Sequence, residues 1–207
     1  MKVKAPFKKG LAFASVCALM CAVTQQAVAG GTTGYHNGYY WFTYYTGSGT
    51  TTYTPGSSGS NFKGTWTSGV TDSLVGTGWY PGSVRTIGYN CGQLSGSWHT
   101  AGVYFWAPYP THECYITDFG SNGGTFKGTV NSDGGTYNIY LGSQGGGSQW
   151  KDSRTSSQSI GANHTITMSN HVNKWKTLGW NLGTFNNGCT FMAEAFSGPG
   201  TVNATDW

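Results

Sequence analysis

The chain has 207 residues and a formal net charge of +4. That excess comes from Lys2, Lys4, Lys8 and Lys9; from Gly30 onward seven basic side chains meet seven acidic ones and the net charge is zero. The balance excludes nucleic acid and anionic membranes as electrostatic partners, and 9 Trp, 13 Tyr and 10 Phe exclude a disordered chain.

The first element is a leader. The lysine-rich MKVKAPFKKG precedes the apolar LAFASVCALMCAV, and AVA at Ala27–Ala29 offers a small-residue cleavage site. That order predicts a secretory signal peptide over residues 1–29, removed near Ala29, and the apolar run is too short to span a bilayer. Residues 30–207, about 178 residues, are enough for one exported domain with its own core.

From there short runs rich in aromatic residues and threonine alternate with Gly/Ser/Asn clusters. GYYWFTYYT, TTTYT, NFKGTWTS, SVRTIGY, TAGVYFWA, HECYITDF, TFKGTVN, GTYNIYLG, HTITMS and CTFMAEAF read as strands in that order. SNHVNKWKTLG alone reads as a helix. Ser169 or Asn170 is its expected cap, Val172, Trp175 and Leu178 recur at helical spacing, and Gly179 ends it. The pattern predicts an all-β sandwich or barrel carrying one short helix. Cys91, Cys114 and Cys189 follow the leader; an odd count leaves at least one thiol free or paired between molecules.

Only two glutamates exist, Glu113 and Glu194, both inside strand-like apolar runs. Alternation along a strand puts Glu113 with Tyr115 and Thr117, and Glu194 with Met192 and Phe196. A strand glutamate is most often a solvated surface residue, but this chain supplies surface polarity with Ser, Thr, Asn and Gln. Burial of a carboxylate is costly and raises its pKa, and a second carboxylate nearby raises one of the pair further. Two carboxylates among aromatic rings suit glycosidic bond cleavage. Sugar C–H faces stack on rings, and sugar hydroxyls bond to Asn, Gln, Ser and Tyr.

Several stretches, in order, resemble the family-11 glycoside hydrolases, the β-jelly-roll endo-1,4-β-xylanases. They are NGYYWFTYYTGSGTTTYTPGSSGSNFKGTW, GTGWYPGSVRTIGY, VYFWAPYPTHECYITDFG, KGTVNSDGGTYNIY, ITMSNHVNKWKTLGWNLG and FMAEAFSGPGTVN. The resemblance implies a jelly-roll sandwich of two curved antiparallel sheets. It implies Glu113 as nucleophile and Glu194 as acid/base, with Tyr104 and Tyr115 bonding substrate and Tyr44 stacking a sugar ring where the family usually has Trp. The polysaccharide substrate would be xylan or a related β-glycan, and the enzyme would be a secreted monomer working without cofactor or metal. Glu194 is expected to carry the raised pKa and Glu113 to be ionised.

The chain also departs from the pattern. LGSQGGGSQ stands where the family has a long Pro-containing hairpin, the thumb, and its four glycines predict an unordered loop. Ser148 and Gln149 fall at the family's substrate-bonding Gln and a Tyr, Thr65 at the Asn or Asp that tunes the acid/base, and Pro108 at an Arg. These losses favour an alternative, a non-catalytic or weakly active glycan-binding protein on the same fold.

Overall fold

The computed structural model describes residues 29–207 apart from residues 109–110, 145–146, 181–182, 184 and 186. The predicted leader lies, Ala29 excepted, outside the described residues. The described chain runs β1 (Gly30–His36), β2 (Tyr39–Gly47), β3 (Thr51–Pro55), β4 (Phe62–Trp66), β5 (Val70–Trp79), β6 (Thr86–Gly96) and β7 (Thr100–Pro108). It continues through β8 (Thr111–Gly120), β9 (Thr125–Ser132), β10 (Gly135–Gln144), β11 (Gly147–Arg154), β12 (Asn163–Thr167), helix α1 (Met168–Thr177), β13 (Cys189–Ala195) and β14 (Gly200–Asp206).

The strands form two sheets: β1-β2-β5-β13-β7-β8-β11-β10-β9 and β12-β6-β14-β4-β3. This is the expected two-sheet, one-helix architecture, with one difference. The pair β8–β11 is parallel, Glu113 lying opposite Gln149 and Tyr115 opposite Lys151. β9 runs in the same direction as β8, and the two antiparallel reversals through β10 return β11 to that direction, so the β8–β11 pair is parallel.

Four strands, β1, β5, β11 and β14, lack an apolar alternation strong enough to read from sequence. In β5 glycines interrupt the pattern for a packing reason. A Cβ on Gly76 would sit 2.6 Å from Met192 Cβ and 2.5 Å from the Phe191 carbonyl oxygen, so the neighbouring strand takes the space a side chain would need. The GSQGGGSQ stretch is also more ordered than predicted. Its pairing continues through Ser143 opposite Ser148 and Gln144 opposite Gly147, because ladder hydrogen bonds offset the freedom of its glycines; Gly145 and Gly146 lie outside the described residues.

The core fills the space between the sheets. Phe62, Trp66, Tyr89, Phe105, Ile116, Ile139 and Phe191 are buried there, and Tyr89 of one sheet stacks on Phe191 of the other at 4.4 Å. Asp118 is buried with them and accepts hydrogen bonds from Tyr89 Oη at 2.6 Å and Tyr137 Oη at 2.5 Å, which satisfies an otherwise costly carboxylate. Cys91, Cys114 and Cys189 are free and buried.

Helix α1 begins one residue before the earlier of its two expected caps. Thr167 is the cap residue and makes no side-chain capping bond. Its N–H and hydroxyl donate instead to Asp133 Oδ2 at 2.8 Å and Oδ1 at 2.7 Å, tying the helix start to the β9–β10 turn. The helix is fixed from below by Asp152 on β11, which faces His171 Nδ1 at 2.6 Å and accepts from Trp175 Nε1 at 2.8 Å. His171 is thus fully buried. Among the described residues no helix is long and apolar enough to cross a membrane.

Removing His171 takes one of two partners from the buried Asp152 carboxyl. His171→Ala is expected to lower unfolding free energy by about 3 kcal/mol, measured by denaturant titration. A loss under about 1 kcal/mol would mean that Trp175 alone satisfies Asp152.

Candidate active site

Period-two alternation decides what faces away from the core. On β8, Cys114 and Ile116 pack between the sheets, so Glu113 and Tyr115 point to the other side of the nine-stranded sheet. The same rule turns Glu194 and Met192 out from β13, Tyr104 and Trp106 from β7, and Gln149 and Lys151 from β11, whose Trp150 and Asp152 are buried. Beneath these polar groups Leu74, Tyr115 and Met192 form a small apolar cluster flanked by Phe42 and Tyr104.

The two glutamates lie on strands separated only by β7. The Tyr115 hydroxyl lies 2.9 Å from Glu113 Oε1 and 3.2 Å from Glu194 Oε1. Those two oxygens are therefore no more than about 6 Å apart, a separation near that of retaining carboxylate pairs. Glu113 also accepts from Tyr104 Oη at 3.0 Å and from Gln149 Nε2 at 2.5 Å, and Trp106 Nε1 donates to the Tyr104 hydroxyl. Glu194 accepts from Thr100 Oγ1 at 3.4 Å. Both glutamates are buried, at 6% and 4% exposure.

Burial first, then the charge of Asp72, and to a lesser degree that of Glu113, push the Glu194 carboxyl up to about 8. Burial also raises Asp72, with the Glu113 charge adding to it. The phenols of Tyr104 and Tyr115 are held well above their ordinary value by burial and by the carboxylates, so they remain neutral donors. Tyr115 has a single proton for two acceptors. Both of its contacts can be full hydrogen bonds only when one carboxyl is protonated, and Glu194 is the one held in that form.

Two hollows meet at this pair. One of about 500 Å³ is walled by Tyr40, Phe42, Tyr44, Tyr80, Tyr104 and Trp106 and floored by Asp72, Leu74 and Glu113. The other, about 230 Å³, runs past Glu194, Asp72, Glu113 and Lys151 to His99, Asn122 and Phe196. They share Asp72 and Glu113 and so form one trough. Tyr44 is 40% exposed on its wall, and Phe196 packs on His99 at 4.7 Å.

All five residues singled out from sequence, Glu113, Glu194, Tyr44, Tyr104 and Tyr115, border this trough. Two other readings change, and one residue is added. Thr65 does not lie beside Glu194: it sits on β4 of the other sheet, opposite Thr52 and Thr201, and the polar neighbour whose charge acts on Glu194 is Asp72 of β5. Ser148 does not enter the trough; its hydroxyl faces His112 Nδ1 at 2.5 Å, and Gln149 presents the amide. Lys151 adds a half-buried ammonium to the site. The sequence does not single out Asp72 or Lys151, and marks Gln149 only as a departure from the family pattern, because β5 and β11 carry no clear alternation; once Trp150 is known to be buried, period two alone places Gln149 and Lys151. Among the described residues no three His, Cys, Asp or Glu side chains are grouped to hold a metal ion.

The sequence profile of the glycosyl hydrolases family 11 matches residues 36–205. The chain is 37% identical over 168 residues to endo-1,4-beta-xylanase B of Phanerodontia chrysosporium, covering 74% of this chain and 56% of that protein. It is 36% identical over 170 residues to a probable endo-1,4-beta-xylanase B of Aspergillus clavatus, covering 74% of each. With endo-1,4-beta-xylanase 11A of Botryotinia fuckeliana it shares 33% over 195 residues, 87% of this chain and 84% of the relative. The chain thus spans little more than half the length of the first of these and more of the other two.

A carboxyl whose folded pKa is raised holds a proton that the unfolded chain has released, so its contribution to stability falls as pH rises from 4.5 to about 8. Glu194→Gln should flatten that decline in pH-dependent unfolding experiments. In carbon-13 NMR titrations Asp72→Asn should move the Glu194 transition down from about 8; an unmoved transition would show that the Asp72 charge does not reach it.

Proposed function

Because the chain belongs to the glycosyl hydrolases of family 11, we propose that it is a secreted endo-β-1,4-glycanase acting on xylan with retention of configuration. Glu113 is the nucleophile and Glu194 the acid/base. The observation that carries this reading is the single Tyr115 hydroxyl bonded to both carboxyls. It supports a retaining pair, because oxygens at most about 6 Å apart suit direct attack better than a water held between carboxylate and sugar.

The chemistry follows from the asymmetry of the pair. Glu113, held by three donors from Tyr104, Tyr115 and Gln149, attacks the anomeric carbon as the bond to the leaving oxygen breaks. Glu194, still protonated near neutral pH, gives its proton to that oxygen. Esterification of Glu113 removes one negative charge that kept Glu194 protonated, so Glu194 becomes the base that takes a proton from water. The water oxygen displaces Glu113, and two inversions give net retention. Sugar rings lie against Tyr44, Tyr80 and Trp106, whose faces suit their C–H surfaces.

Secretion rests on the basic, apolar and small-residue order of residues 1–29. Pairing in the β10–β11 hairpin persists to Gln144 opposite Gly147. The few residues between Tyr140 and Trp150 favour a branched chain over a clamped one as substrate. The binding-only alternative drew its motive from missing positioning groups, and Gln149 on Glu113 supplies one of them.

Wild-type protein should release reducing sugar from xylan, and Glu113→Gln and Glu194→Gln should each lower the rate by at least about a hundredfold. Proton NMR should show the β-anomer first. Retardation on a xylan gel without product would instead establish the binding protein, and an initial α-anomer would exclude retention.

A further inference from the structure

We propose that Lys151 is a positioning residue for Glu113: its ammonium holds the Gln149 side chain with the amide NH2 turned to the Glu113 carboxylate. The inference rests on the reading of Glu113 as nucleophile. Three side chains form a line in which Lys151 Nζ donates to Gln149 Oε1 at 3.2 Å and Gln149 Nε2 donates to Glu113 Oε2 at 2.5 Å. Period two places Gln149 and Lys151 on the trough face of β11, and the parallel register sets Gln149 opposite Glu113.

A glutamine amide is nearly symmetric in shape but not in polarity, with two donors at one end and an acceptor at the other. An ammonium only donates and a carboxylate only accepts. With Lys151 on one side and Glu113 on the other, a single amide orientation satisfies both contacts. The flipped amide would set oxygen against carboxylate and NH2 against ammonium. Without Lys151 that preference is weakened, and Gln149 can turn to solvent or substrate. Among the described residues Lys151 forms no ion pair with an acid, so its direct action is on the amide.

The cross-strand neighbour supports this reading independently. Gly142 on β10 stands opposite Gln149. A Cβ there would come 2.8 Å from Gln149 Oε1 and 3.3 Å from Lys151 Nζ. The missing side chain leaves room for the hydrogen bond between them, and an alanine would press on both of its ends. Burial lowers the Lys151 pKa, and the Glu113 charge opposes that shift in favour of the ammonium form.

The test is a double-mutant cycle on kcat and KM for soluble xylan, with Lys151→Met, Gln149→Leu and both together, alongside Lys151→Arg and Gly142→Ala. Thermal melting reports on folding throughout. Lys151→Met should lower kcat about tenfold with KM within about twofold, since it acts on the reacting group rather than on substrate grip. The double variant should be no worse than Gln149→Leu alone, because Lys151 acts through that amide. Lys151→Arg should restore most of the rate, and Gly142→Ala should reproduce the loss with both residues intact. Multiplying losses in the double variant, a change confined to KM, or wild-type kcat in both Lys151→Met and Gly142→Ala would overturn the proposal. An inactive wild type, or Glu113→Gln as active as wild type, would instead overturn the glycanase reading on which it rests.

Discussion

The site depends on one geometric constraint, the two-residue period of the strands in the larger sheet. Each of β7, β8, β11 and β13 sends one set of side chains into the core and the next out to the trough. The core set fixes the trough set. Trp150 and Asp152, locked against Trp175 and His171 of the helix, leave Gln149 and Lys151 no other face. Cys114 and Ile116 do the same for Glu113 and Tyr115. A one-residue slip in any of these strands would bury the acids and expose the core, so the register that gives the fold its stability also assembles the site.

That arrangement gathers three carboxyls, Asp72, Glu113 and Glu194, in one hollow with a single ammonium among the described residues lining it. Three like charges at close range cannot all be ionised cheaply. The cost falls unevenly because the surroundings are uneven. Glu113 has three donors, while Glu194 has Tyr115, a longer contact to Thr100, and Asp72 as a charged neighbour. The asymmetry leaves Glu194 as the acid that keeps its proton and Glu113 as the group surrounded by donors, the difference on which the proposed double displacement draws.

The polar groups around the pair are arranged in layers. Trp106 donates to Tyr104, which donates to Glu113; Lys151 donates to Gln149, which donates to the other Glu113 oxygen. Each carboxylate oxygen of Glu113 is thus reached through a donor that is itself oriented by a second donor. Such chains strengthen one another and hold their members in one orientation.

The sequence by itself determined the all-β character, the single helix and the strands of strong aromatic alternation. It also placed Glu113 and Glu194 on strand faces with Tyr115 and Met192, because each of these follows from spacing within one short segment. It could not determine which strands pair, since pairing joins residues scores of positions apart: Glu194 meets Leu74 and Thr100 across the ladder. For that reason Thr65 looked like a neighbour of Glu194 and Asp72 did not, and a loop that its glycines marked as unordered became a paired hairpin. Glycine-broken β5 and polar β11 carry Asp72, Gln149 and Lys151, and neither shows in its own composition which way its side chains face. Only packing against Met192, Trp175 and His171 decides that, and with it the electrostatics of the trough.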